Sequence, residues 1–161
     1  MNRLKLFSIF SVLILSACIG TPSGPKIEVT DAWARAVVGV ENMGDSSQSS
    51  NQQQSMMGMN GAVYMVLHNT GDAGDKLLQV QGDVAQSIEL HISEMNEGVM
   101  SMHPVDGIEV PLKEQVELKP GGLHVMLIGL KQDLNPGDQI NLILVFEKSG
   151  EIPITVDVRV P

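Results

Sequence analysis

From Ile27 onward the apolar residues fall in short runs, several alternating strictly with polar ones, and turn-forming residues separate them. The runs are Ile27-Glu28-Val29, Ala62 to Leu67, Lys76 to Val80, Ser87 to Ile92, Val99 to Met102, Gln115 to Leu118 and Leu123 to Ile128. Two more follow, with Ile140, Leu142, Leu144 and Phe146 on one face of the first and Ile154, Val156, Val158 and Val160 on one face of the second. Between them stand Asn69 to Gly74, Gly82, Asn96-Glu97-Gly98, Pro120-Gly121-Gly122, Pro136-Gly137 and Gly150. Regularly spaced short strands without a long 3.6-residue period predict an all-β domain, an antiparallel sandwich or Greek-key barrel. A single turn of helix is expected around Leu130 to Leu134. From Asp45 to Ser55 the chain is nearly all Ser, Gln and Asn. That composition cannot bury a core, so it reads as a polar loop insertion between two strands, at about residues 42–60.

The first residues change the picture of where such a domain works. Asn2, Arg3 and Lys5 precede the apolar run Leu6 to Leu15, which is too short to span a bilayer and reads as an export signal covering residues 1–17. It ends in Leu15-Ser16-Ala17-Cys18, which resembles a bacterial lipobox, so Cys18 is the expected lipidation site. The chain would then be an extracytoplasmic, membrane-anchored lipoprotein, in the periplasm or on the outer cell surface, with residues 18–26 as a tether and 27–161 as one domain. Cys18 is the only cysteine, so the domain has no disulfide to form. The formal charge is −9, and more negative once Arg3 and Lys5 are removed. Such a surface repels phosphate backbones, which argues against nucleic acid as a partner, and attracts cations.

Candidate chemistry sits at four positions. His91 is followed after ten residues by Met102, and after twenty-one more by His124-Val125-Met126. Two imidazoles with two thioethers form a soft donor set lacking thiolate, which suits Cu(I) better than zinc. Alternation along a strand points His124 and Met126 to one face and Val125 and Leu127 to the other. In Ser87 to Ile92 the apolar set Ile88, Leu90 and Ile92 leaves His91 on the less apolar face, and Met102 could approach it across a hairpin. Each residue also has a plain structural reading, since methionine fills cores and strand histidines are often merely solvated. Met100 and Met95 are candidate substitute sulfurs, whereas His68 and His103 read as structural or solvated. Met43, Met56, Met57 and Met59 flank the polar insertion as a loose sulfur cluster, of which Met56, Met57 and Met59 make a possible secondary metal site.

The spacing His, ten residues, Met, twenty-one residues, His-x-Met resembles that of the PCuAC family of periplasmic copper chaperones, and His91, Met102, His124 and Met126 meet it without insertion. Asp31-Ala32-Trp33-Ala34-Arg35, Gly98-Val99-Met100 and Pro120-Gly121-Gly122-Leu123-His124-Val125-Met126-Leu127 are similar to the family as well. The resemblance implies a cupredoxin-like β-sandwich that is not an enzyme and binds one Cu(I) per chain. It further implies delivery to the dinuclear copper centre of cytochrome c oxidase, either to the copper subunit directly or through a thiol-bearing copper chaperone.

Other classes fit less well. A blue-copper electron carrier needs a cysteine thiolate, and none lies in the domain. A copper enzyme would use more histidines and an open position. No Ser-His-Asp spacing, paired-carboxylate motif or phosphate loop stands out. The remaining alternative is a metal-free structural or adhesive β-sandwich lipoprotein with its methionines buried.

Overall fold

The computed structural model describes residues 23–39, 59–96 and 98–160. Ten strands account for most of them: β1 (Ile27–Arg35), β2 (Gly61–Asn69), β3 (Asp75–Gln81), β4 (Ala85–Asn96), β5 (Val99–Pro104), β6 (Ile108–Val110), β7 (Gln115–Leu118), β8 (Leu123–Leu130), β9 (Gln139–Phe146) and β10 (Gly150–Arg159). They form one hydrogen-bonded path, β5-β4-β8-β2-β1-β10-β9-β3-β6, with β7 paired to β2. The path folds over so that β3 meets β4 and β6 meets β2 and β7. The all-β expectation therefore holds, as a sandwich built on an open path rather than a closed barrel. It is a mixed sheet, because β1 runs parallel to β10 while the other pairs are antiparallel.

One core fills the space between the layers. Val63, Leu67, Leu77, Val110, Val125, Leu127, Leu134, Leu144 and Val156 are fully buried in it. All but Leu134, which sits in an isolated bridge, face the core from their strands, and the neighbouring positions point to the two outer faces. Pro153 lies within β10, where a missing N–H would break a ladder. Its nitrogen side is spared, because β1 covers only Asp157, Val158 and Arg159, and among the described residues nothing pairs with the second edge of β10 opposite Pro153.

A bulge in β1 matters for the site. Thr30 pairs with Val66 and Trp33 with Tyr64, so Asp31 and Ala32 together face a single residue of β2. Asp31 accordingly adopts φ of 48°. A one-residue slip moves every later side chain to the other face. Val29 before the bulge packs on the core, whereas Trp33 after it stacks on Tyr64 on the outer face.

One expectation changes. The segment Leu130 to Leu134 is a bend closed by a β-bridge from Leu134 to Val37, not a helical turn, because both residues' backbone groups are taken by that bridge. Ser23 to Lys26 are held against the domain: the N–H of Asp72 donates to the carbonyls of Ser23 and Gly24, and the Ser23 hydroxyl donates to Asp72. The short strand β6 is an addition. The signal segment, Cys18, Met43, Met56, Met57 and nearly all of the polar insertion lie outside the described residues.

Candidate metal centre

The outer face of β5-β4-β8-β2 collects the four candidate donors. His91 on β4 lies directly opposite His124 on β8, and their ring centroids are 5.9 Å apart. One step along the same pairing, Met126 lies opposite Glu89. One step the other way, Met102 on β5 lies opposite Ser93. The imidazole pair is thus flanked by a thioether on each side along the strand direction, all four on one face. Val125 and Leu127 turn inward and are fully buried, as the alternation predicts.

Each ring is held by a neighbour that fixes its tautomer. The Nδ1 of His124 is 2.9 Å from the carbonyl oxygen of Gly122. A carbonyl only accepts, so Nδ1 carries the proton and Nε2 the lone pair. The Nε2 of His91 is 2.9 Å from Glu89 Oε2. This contact holds the Glu89 carboxyl below its ordinary range, with a smaller contribution from the Ser87 hydroxyl. The ionised carboxylate also only accepts, so the His91 proton is on Nε2 and the lone pair on Nδ1. That Nδ1 is buried and has no hydrogen-bond partner among the described residues. An unpaired buried acceptor is costly, and native folds rarely retain one without a use.

The carbonyl that orients His124 comes from a turn the sequence specifies. In Lys119-Pro120-Gly121-Gly122 the N–H of Gly122 donates to the Lys119 carbonyl at 3.0 Å, and Gly121 has φ of 77°. Proline second and glycine third is the composition of a type II turn. The Gly122 carbonyl then accepts from both the Ser93 N–H and His124 Nδ1, tying β4 to the ring. No atom lies within 4 Å of a Cβ placed on Gly121, so the expected penalty of Gly121→Ala is that of the left-handed backbone alone. It should lower stability by about 1–2 kcal/mol in urea unfolding.

Behind the pair the face is aromatic. Tyr64 lies with its ring 6.4 Å from His124 and 4.7 Å from Trp33. Burial raises the Tyr64 phenol, opposed in part by Arg35. His124 is only 3% exposed and the His91 side chain 12%, while Met126 is half-buried and Met102 is 50% exposed. The set therefore grades from a sheltered pair of nitrogens to an accessible sulfur. Among the described residues no three His, Cys, Asp or Glu side chains converge as a metal-binding group, so an ion held here would have to draw on the thioethers.

The other candidates lie elsewhere. His68 bonds the Thr30 hydroxyl at 3.0 Å, at the far end of β2, and His103 pairs opposite Ile92 on the reverse face of β5. Met59 packs against the core, its carbonyl accepting from the Leu130 N–H at the end of β8 remote from His124. Six residues of strand, roughly 20 Å, separate those two ends. Met59 is thus not brought to the His pair. Glu89, Tyr64 and the Gly122 carbonyl are the site residues the sequence reading missed. Glu89 had a usable signal, two positions before His91 on the same strand and therefore on its face.

A family model described as "Putative lipoprotein LpqE-like" matches residues 27–158. The chain belongs to the LpqE-like family. A relative in Leifsonia xyli subsp. xyli, named "Putative lipoprotein Lxx21020", is 30% identical over 99 residues, covering 61% of this chain and 60% of that protein. The chain thus matches less than two thirds of that relative's length. Among solved structures, the copper-bound PCuAC domain from PmoF2 superposes with a TM-score of 0.62 at 26% identity, covering 88% of this chain and 97% of that domain. The Cu(I) form of DR1885 from Deinococcus radiodurans does so with a TM-score of 0.51 at 27% identity, covering 81% and 78%. The LpqE-like chain therefore has the fold of PCuAC domains, as the ligand spacing suggested.

Proposed function

We propose that this chain is an extracytoplasmic, lipid-anchored Cu(I) carrier that holds one ion between His91 Nδ1 and His124 Nε2, completed by the thioethers of Met126 and Met102. The observation that carries the reading is the buried, unpartnered Nδ1 of His91 directly across from an imidazole whose tautomer is also fixed. An ion about 2.0 Å from a nitrogen of each ring separates the centroids by up to roughly 6 Å, which suits the 5.9 Å found. The Glu89 carboxylate on the far side of His91 makes the ring a better donor and adds negative charge near a cation. Family membership among lipoproteins and the Leu15-Ser16-Ala17-Cys18 sequence support the anchor at Cys18.

The chemistry suits release as well as capture. Thioethers need no deprotonation and form no disulfide in an oxidising compartment. Exposed Met102 is the donor an acceptor can displace first, after which the sheltered nitrogens are exchanged in turn. The recipient implied by the PCuAC resemblance is the dinuclear copper centre of cytochrome c oxidase, reached directly or through a thiol-bearing chaperone.

The test is anaerobic Cu(I) competition against a chromophoric chelator, using the full chain in detergent with Cys18→Ser to remove the competing thiol. One tight equivalent is expected. Met102→Leu, which keeps the volume, should weaken it by about tenfold. The far-UV circular dichroism should not change when copper is chelated, because the core is complete without it. Absent binding, or binding indifferent to Met102→Leu, would leave a metal-free structural lipoprotein as the better reading.

A further inference from the structure

Beyond the His pair, the hairpin of β4 and β5 carries thioethers that the proposed carrier site does not use. Met95 lies directly opposite Met100, and Met100 is two residues from Met102 along β5. Alternation therefore places all three on one face, the face that carries His91 and His124. The reverse face of the hairpin carries Glu94, Asn96, Ser101 and His103, with Ile92 and Val99. Met95 is 63% exposed and Met100 59%, and together with Met102 they are all the strongly exposed methionines among the described residues. Apolar side chains at such positions gain nothing from burial, whereas sulfur at three adjacent positions on one face is a soft-cation donor set. Directly opposed residues have Cβ atoms about 5 Å apart and diagonal ones somewhat more. Sulfurs sharing an ion sit roughly 4 Å apart, which three flexible methionine side chains can reach.

We propose that Met95, Met100 and Met102 form a second, entry site for Cu(I) on the β4–β5 hairpin, from which the ion passes to His91 and His124. The proposal rests on the carrier reading, since it assigns the hairpin the role of loading that centre. Transfer is a ligand exchange at constant oxidation state. The bonds to the Met95 and Met100 sulfurs break, Met102 stays bound, and bonds form to His91 Nδ1, His124 Nε2 and the Met126 sulfur. No electron or proton has to move, because both nitrogens already carry lone pairs. With neutral thioethers alone, the entry site holds Cu(I) more weakly than the nitrogen pair by roughly tenfold or more.

The experiment is Cu(I) titration of the full chain carrying Cys18→Ser in detergent, with 13C-labelled methionine methyl groups followed by NMR. In the otherwise unchanged chain, Met102 and Met126 should shift with the first equivalent, and Met95 and Met100 only beyond it. In a His91→Ala/His124→Ala chain, Met95, Met100 and Met102 should shift together from the start. Met95→Leu/Met100→Leu should slow uptake from the chelator by roughly fivefold or more while leaving the affinity of the first equivalent unchanged. Methyl signals of Met95 and Met100 that never move in either protein, or unchanged uptake in the double-leucine variant, would overturn the entry site. The carrier reading fails separately, if the first equivalent is indifferent to His91→Ala/His124→Ala.

Discussion

Alanine in place of His91 is expected to lower Cu(I) affinity by about a thousandfold while leaving the metal-free fold as stable as before, or more so. The affinity loss follows from removing one of two nitrogens and, with it, the purpose of the Glu89 contact. The stability result is less intuitive, because the side chain is largely buried and truncation of a buried group normally destabilises. Here the buried Nδ1 has no partner among the described residues, so the native fold already bears the desolvation cost of that acceptor. Deleting the ring removes that cost together with the packing, and the two are expected to offset each other. Chelator competition and urea unfolding of the same two proteins check both halves. A large stability loss with unchanged copper affinity would mean that His91 is a structural side chain.

That contrast could not be read from the chain, although much of its setting could. The strict alternation in Ser87 to Ile92 was enough to turn His91 away from the core, and the same logic placed His124 and Met126 together opposite Val125 and Leu127. The structure agrees because one face of these strands, with Leu90, Val125 and Leu127, packs into the shared apolar core, and a single core-facing side is what makes a period of two informative. β6 was missed because Ile108–Val110 is three residues long, hemmed by Gly107 and Pro111, too short for any alternation to register. The extent of β4 was also missed. Its last residues, Glu94, Met95 and Asn96, are exposed and lie outside the core, yet they pair with Ser101, Met100 and Val99 and lengthen the hairpin beyond the pairing of Ser93 with Met102. Nor does local sequence show that the bulge at Asp31 and Ala32 returns Trp33 to the Tyr64 face, or that Glu89 and Gly122 choose different ring nitrogens on the two histidines. Those facts depend on which residues become neighbours.

Asp75→Ala is expected to destabilise the fold by about 3 kcal/mol without altering Cu(I) affinity. Asp75 is 3% exposed at the start of β3, and its carboxylate gathers the turn between β9 and β10. Oδ1 accepts from the N–H of Lys76 at 2.8 Å and of Lys148 at 2.9 Å. Oδ2 accepts from the Ser149 N–H at 2.9 Å and the Ser149 hydroxyl at 2.6 Å. Burial alone would raise the carboxyl pKa, but the Ser149 hydroxyl and the three backbone N–H groups outweigh it, and the net shift is downward. A carboxyl whose folded pKa lies below its unfolded value of about 3.9 stabilises the fold at every pH above that value. The contribution is lost as the pH falls through the lower, folded pKa. The gap in urea midpoint between the two proteins should therefore be full at neutral pH and close only in strong acid. Alanine strands four donors that one carboxylate had satisfied, which is why the effect exceeds that of losing a single bond. The centre on β4, β5 and β8 should not register the change, since β3 and β9 lie in the other half of the strand path and share no backbone pairing with it. A parallel drop in copper affinity would instead show that the two halves of the sandwich are mechanically coupled.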